Sequence, residues 1–407
     1  MLLKNNSKLF TILQFILFLN NVTGKRIPRH TANYTRYPIY RYNSNYLFLP
    51  NIVKHNATYT KNRITLILHC SSNYLTESFA EHIKNWPGPI SLGIYLRSPI
   101  ITSAESLCTY CILKKLPILN DNLSVHFIYK HLSTKPLKKS TSELGLFLSN
   151  FNCSKEELLT KICKLPSKTN SEKIEQMIEY PINIIRNIAR KLSKTNYILI
   201  ADFDHMFSEN FEEKVLPAAE KYLDKKSKNA LVYRIFEINQ NATREPTNKE
   251  VLEKMMNNSE AFIFHHYYPR GHNIPRLSQW FQVPDSVKPK IQIEVLYREK
   301  AWEPQFVTNR HIPLHDENFP YPVRDNTNLR WAMCRMGYHY LILNDVFMYH
   351  RGLKAENENA LVKKARAKAW KQYISALIQF NQKMDTLFPD TKNVCPKLDL
   401  EYKNKRI

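Results

Sequence analysis

Two continuous apolar runs of strand length, residues 64–69 (ITLILH) and 90–96 (ISLGIYL), flank a helix-like stretch that ends at Trp86 and a Pro87-Gly88 turn. A β-α-β opening of this kind points to a sheet covered by helices. The pattern continues along the chain. A helical segment around 105–115 precedes a third strand at 124–129. Ile182, Ile185, Ile188, Ala189 and Leu192 then form a helical stripe, with Pro181 suited to its first turn, and lead into a fourth strand at 197–201. A fifth strand follows at 230–238. This alternation predicts an α/β fold around a doubly wound, mixed and mostly parallel sheet.

Beyond 240 the sequence is more irregular, with aromatic and His-rich loops, a strand near 291–296, a helix over 326–336, a strand over 340–349 and a long helix over 356–387. Residues 25–62 are polar and rich in Tyr, Asn, Arg and Pro without clear periodicity, and read as a stem. The expected organisation is therefore 1–24 as a signal peptide or short signal anchor, 25–62 as stem, 63–395 as the folded domain and 396–407 as tail. With 407 residues, 43% hydrophobic and 23% charged, the chain has ordinary globular composition and room for a large core.

Lys4 and Lys8 precede an apolar run at 9–19, the layout of a secretory signal. Eleven helical residues rise only about 16 Å against a hydrocarbon core of about 30 Å, so the run is short for a stable span. Cleavage after Gly24 fits this reading. Asparagine sequons at Asn33, Asn56, Asn122, Asn152, Asn241 and Asn257 agree with lumenal exposure. Seven cysteines suit an oxidising compartment and allow up to three disulfides. Cys108 and Cys111 form a CxxC, but no second pair completes a zinc site, so a disulfide or two buried thiols is expected there. The formal charge of +23 is spread along the chain with only short clusters such as Lys363, Lys364, Arg366 and Lys368. A dispersed basic surface is not the footprint of a nucleic-acid binder, and no nucleic-acid partner is expected.

The fourth strand ends in Asp202, Phe203 and Asp204. In open α/β sheets ligands bind at the carboxyl edge, so these carboxylates stand where a ligand is expected. Two carboxylates one residue apart in a strand-end bend reach a shared ion, and hard oxygen ligands suit Mn²⁺ or Mg²⁺. Such an ion neutralises the charge that builds on a departing diphosphate. Asp-x-Asp tripeptides are common, and the apolar strand before this one gives it its weight. His350, just after the strand at 341–349, is a candidate nitrogen ligand for the same ion.

The segments ITLILHCSSNYL with PGPISLGIYL, YPINIIRNIAR leading to YILIADFDHMFS, AWEPQFV, and LNDVFMYHRGLK together resemble glycosyltransferase family 49 from about residue 64 to 395. The resemblance implies a GT-A type nucleotide-sugar-binding fold with an irregular acceptor-side subdomain, a UDP-sugar donor and inversion at the anomeric carbon. It implies a metal held by Asp202, Asp204 and His350, and places Asn183 and Arg186, with Asp202, near the donor. A guanidinium beside a diphosphate is chemically sensible. Glucuronate is the leading sugar, with N-acetylglucosamine and xylose as alternatives. The acceptor is then a glycan on a glycoprotein or proteoglycan, and the location the Golgi lumen, membrane-anchored only through the N-terminal segment if that is uncleaved. The rival reading is an inactive, secreted carbohydrate-binding relative.

Inversion needs a general base for the acceptor hydroxyl, normally a carboxylate. The candidates are Asp325, Asp316 and Glu317; Asp325 stands at the start of the expected 326–336 helix, where it also reads as an N-cap. The sequence departs from the family at 319–328, where FPYPVRDNTN replaces a more Gly-rich stretch. It departs again at 264–273, FHHYYPRGHN, which lacks cysteines found nearby in similar proteins. His265, His266 and His272 read as exposed loop residues rather than ligands.

Overall fold

The computed structural model describes residues 34–75, 79–116, 122–131, 141, 143–163, 168–286, 290–353 and 359–398. The expected signal at 1–24, the start of the stem and the end of the tail lie outside these residues. Among the described residues no helix is long and apolar enough to cross a membrane.

Four parallel strands form the centre of the sheet: β3 (Ile64–Ser71), β4 (Ile90–Leu96), β5 (Leu123–Lys130) and β6 (Tyr197–Ile200), in the order β5-β4-β3-β6. Nearly every residue of these strands is buried, as continuous apolar runs require when helices cover both faces. On one side the sheet continues through β11 (Gln305–Asn309), antiparallel to both β6 and β8 (Asn229–Ile238). β8 then pairs in parallel with the long β12 (His339–Arg351), and β10 (Ile291–Val295) closes that edge. Two short strands branch off: β7 (His205–Phe207) pairs antiparallel with β12, and β9 (Ala261–Ile263) with β8. The α/β expectation holds, as a mixed sheet with a parallel core.

The opposite edge corrects the expected stem. β1 (Tyr40–Arg41) and β2 (Tyr46–Val53) belong to the sheet, β2 lying antiparallel to β5 with Leu47, Leu49, Ile52 and Val53 buried. Their alternation is broken by Pro50 and by Asn51, which has φ 55°, at a register shift between Leu49 and Val53. That bulge hid the period from the sequence.

The helix Ile182–Leu192 lies on β3 and β4. Its approach is close at Gly93, where a Cβ would stand 2.5 Å from Ile185 Cγ2. Ser208 does not cap the helix that follows the Asp-x-Asp bend: that helix is Phe211–Tyr222, with Asn210 as its cap residue in the left-handed region. Ser208 instead accepts a hydrogen bond from the Phe347 amide at 3.2 Å, tying the segment after the Asp-x-Asp bend to β12.

Three disulfides join Cys108–Cys163, Cys111–Cys153 and Cys334–Cys395, and Cys70 is a buried free thiol. The CxxC is neither a local bridge nor a thiol pair. Cys108 and Cys111 are one turn apart on the helix Ala104–Lys115, so both reach the neighbouring 153–163 segment. Disulfides fit a domain that folds in an oxidising compartment of the secretory pathway.

Candidate functional site

Asp202 follows β6 at the carboxyl edge of the parallel core, and the chain turns through Phe203 and Asp204 into β7. The pairing of β7 with β12 sets His205 opposite His350, so residues far apart in sequence meet beside one bend. His350 Nε2 lies 2.8 Å from Asp204 Oδ2. Its Nδ1 lies 2.9 Å from the Gly352 carbonyl, which assigns the Nδ1 proton to that contact. A neutral His350 then turns its Nε2 lone pair toward a carboxylate oxygen, an arrangement that needs a proton or another cation between them. The side chains of Asp202 and Asp204 are about half exposed, at 51% and 52%.

Arg186 links this edge to a second carboxylate. Its Nη2 is 3.4 Å from Asp202 Oδ1 and its Nη1 is 2.9 Å from Asp325 Oδ2. Nη1 also donates to Asn183 Oδ1 at 3.2 Å, and Nε to His69 Nε2 at 3.1 Å. Accepting at Nε2 leaves the His69 proton on Nδ1, where the Tyr180 hydroxyl stands at 3.0 Å. Asn183 donates in turn to the Asp316 carbonyl at 2.9 Å, fixing the following loop against the helix.

These neighbours set the charges. Partial desolvation by the surrounding protein opposes ionisation of the half-exposed Asp202, but the fields of His205 and Arg186 outweigh it and hold its carboxyl well below the usual range. At the half-exposed Asp204 partial desolvation is likewise outweighed, by a proton shared with His350 and the field of His205, and the carboxyl falls to about 2. Asp325 goes the other way: burial raises it, and the adjacent Arg186 only partly compensates. Two carboxylates that ionise readily thus stand beside one that binds its proton more tightly.

The sequence candidates divide on this geometry. Asp202, Asp204, His350, Arg186, Asn183 and Asp325 come together. Asp325 is not the helix cap; the cap position of Thr327–Arg335 is Asn326, and the Asp325 carboxylate turns to Arg186. Asp316 does not join them, since its carboxylate accepts from the Asn318 amide within its own loop. Glu317 accepts from Tyr42 and from Asn187, which leaves it part of the scaffold. His265 and His272 pack around Phe264, and His272 is buried rather than exposed. Among the described residues no three or more Asp, Glu, His or Cys side chains are arranged as a ready metal-binding group.

A family model described as "Glycosyl-transferase for dystroglycan" matches residues 63–389, most of the chain. The chain belongs to this family. Among its relatives, bovine beta-1,4-glucuronyltransferase 1 is 24% identical over 346 residues, covering 83% of this chain and 79% of the relative. The chicken xylosyl- and glucuronyltransferase LARGE2s is 22% identical over 292 residues, 70% of this chain and 31% of that protein. A crystal structure of GalNAc-T7 with UDP, GalNAc and Mn²⁺ aligns with a TM-score of 0.37 and 10% identity, over 82% of this chain and 52% of that one.

This glycosyltransferase also carries site residues that sequence reasoning passed over. His69 lies near the carboxyl end of the first core strand and His205 directly follows the Asp-x-Asp bend; both were legible as polar residues near strand ends on the edge where ligands are expected. Glu303, in the AWEPQFV segment, accepts from the Thr327 hydroxyl at 2.8 Å at the start of the helix next to Asp325.

Proposed function

We propose that this glycosyltransferase is a GT-A type, metal-dependent, inverting enzyme that moves glucuronate from UDP-glucuronate to a glycan acceptor on a glycoprotein or proteoglycan in the Golgi lumen. The observation that carries the reading is the Arg186 bridge, which joins the ionised Asp202 to the largely covered Asp325 in one constellation. The glucuronyltransferase names of the relatives support the donor.

Asp202, Asp204 and His350 fit a hard divalent cation: two oxygen donors, and an imidazole whose Nδ1 proton is directed to a backbone carbonyl, leaving Nε2 for a cation. Mn²⁺ or Mg²⁺ held there would offset the charge on the departing diphosphate. Arg186 supplies a fixed, always-charged donor fork beside it. Asn183 and His69 hold that fork in place. Asp325 takes the proton of the acceptor hydroxyl, and its raised proton affinity makes it a stronger base than an exposed carboxylate.

The test is to incubate the lumenal protein, residues 25–407, with Mn²⁺ and a panel of UDP-sugars and measure UDP release with and without simple glycosides. Release with UDP-glucuronate, abolished by EDTA and by Asp202→Asn, is expected. Release with UDP-xylose or UDP-N-acetylglucosamine instead would replace the donor, and undiminished turnover by Asp202→Asn would overturn the metal site.

A further inference from the structure

We infer that His205 is a positioning residue for the carboxylate pair, holding Asp202 and Asp204 so that both face one divalent cation; this rests on the metal-dependent reading above. His205 opens β7 and is buried. It is tied to Asp202 twice: its backbone amide donates to the Asp202 carbonyl at 3.3 Å, and its ring Nδ1 accepts from the Asp202 amide at 3.3 Å. The bend that carries both carboxylates is therefore closed by this residue. Accepting at Nδ1 places the ring proton of neutral His205 on Nε2.

That Nε2 points between the carboxylates, 3.8 Å from Asp202 Oδ2 and 4.0 Å from Asp204 Oδ1. Directly across the ladder, His350 approaches the other oxygen of Asp204. The two imidazoles are of opposite polarity. His350 directs its Nδ1 proton to Gly352 and offers a lone pair, the requirement for a ligand. His205 directs its lone pair to the backbone and offers N–H, the requirement for a donor to carboxylate oxygens that ligate an ion. Phe264 stands edge-on to the His205 ring, at 84° and 6.1 Å between centroids, and also packs at 5.7 Å from the His350 ring. One apolar side chain thus packs against both rings.

Substitution separates the Nδ1 hydrogen bond of His205 from the longer approach of its Nε2–H to the carboxylates. His205→Asn keeps an acceptor near the Nδ1 position for the Asp202 amide but has no donor where Nε2 stood, whereas His205→Gln places an amide N–H there. Mn²⁺ binding is measured on the lumenal protein without substrate, by the loss of the free-ion electron paramagnetic resonance signal on titration. The Mn²⁺ and donor dependence of UDP release is measured alongside. His205→Asn is expected to weaken Mn²⁺ binding about 10- to 100-fold, the range for loss of an outer-sphere partner, and His205→Gln to recover most of it. Wild-type Mn²⁺ affinity in His205→Asn, or equal weakening in both variants, would overturn the inference. Asp204→Asn is the control: if it binds Mn²⁺ as the wild type does, the metal reading itself fails, a result distinct from failure of the His205 role alone.

Discussion

His126 couples the edge of the fold to pH, and the size of the coupling follows from its surroundings. It lies on β5, fully buried, with Nδ1 accepting from the Asn51 amide at 3.0 Å and Nε2 3.0 Å from Ser91 Oγ. The Ser91 hydroxyl donates to the Ala189 carbonyl at 2.8 Å, so the imidazole must donate to Ser91 and is satisfied only when neutral. A second ring proton would displace the Asn51 amide and bury a charge. Burial accordingly lowers the pKa from 6.5 to about 3. The unfolded chain binds this proton first as pH falls, so His126 stabilises the fold fully above pH 6.5 and loses that contribution on descent toward pH 3. At about 1.4 kcal/mol per pH unit, about 2 kcal/mol is gone by pH 5. The assay is equilibrium urea unfolding, disulfides intact, at pH 7.5 and 5. Other buried histidines contribute with the same sign, so His126→Asn isolates this one: it keeps an acceptor for Asn51 without titrating. Its loss of stability between the two pH values should be about 2 kcal/mol smaller than that of the wild type. An equal loss in both proteins would refute the reasoning.

Asp325→Asn should lower kcat by roughly 10²- to 10⁴-fold, the range for loss of a general base, with little change in donor KM; initial-rate kinetics check it. In the wild type, activity should fall as pH drops through an apparent pKa above the ordinary carboxylate range, because burial raises Asp325 and only its ionised form accepts a proton; a pH–rate profile reads this. Gly93→Ala forces a methyl group against Ile185 and should cost about 1–3 kcal/mol by overpacking, measured by urea unfolding, with a loss of activity because the displaced helix carries Asn183 and Arg186. Asn122 donates its amide to the buried Trp86 carbonyl, so peptide mapping of the secreted protein should find that sequon without glycan, whereas the exposed Asn56, Asn152, Asn241 and Asn257 are open to modification.

The elements legible in the sequence were those whose signal is local. β3 to β6, β8, β10 and β12, with the helices Ile182–Leu192, Thr327–Arg335 and Ala360–Leu387, lie within a few residues of their expected bounds because unbroken apolar runs and a 3.6-residue stripe need no partner to be recognised. β2 was lost because Pro50 and the left-handed Asn51 interrupt its alternation, and β11 because its five residues, QFVTN, owe their strand form to being held between β6 and β8. The same division runs through the site. Asp202, Asp204 and Asp325 were visible as carboxylates at element ends, but which of Asp325, Asp316 and Glu317 faces Arg186 depends on tertiary packing that no local pattern shows. The CxxC misled for a related reason: sequence proximity of two thiols says nothing about which neighbour their helix face meets.

The position of the site follows from the point where two parallel arrangements are joined by one strand running against them. β6 ends at the ligand edge with Asp202, and β11 returns beside it in the opposite sense, Val307 opposite Leu199 and Asn309 opposite Tyr197, so that β11 begins at that same edge. Glu303, just before β11, is thereby placed next to Thr327 and the loop carrying Asp325. Beyond it β8 and β12 run parallel to each other, and β12 carries His350 back to the edge where β7 meets it. The groups proposed to hold a cation therefore come from the ends of strands on both sides of β11, while the candidate base comes from the loop packed over the helix that supplies Arg186. A substitution that shifts β11 by one residue would turn its side chains to the other face and separate these two halves without touching a charged group.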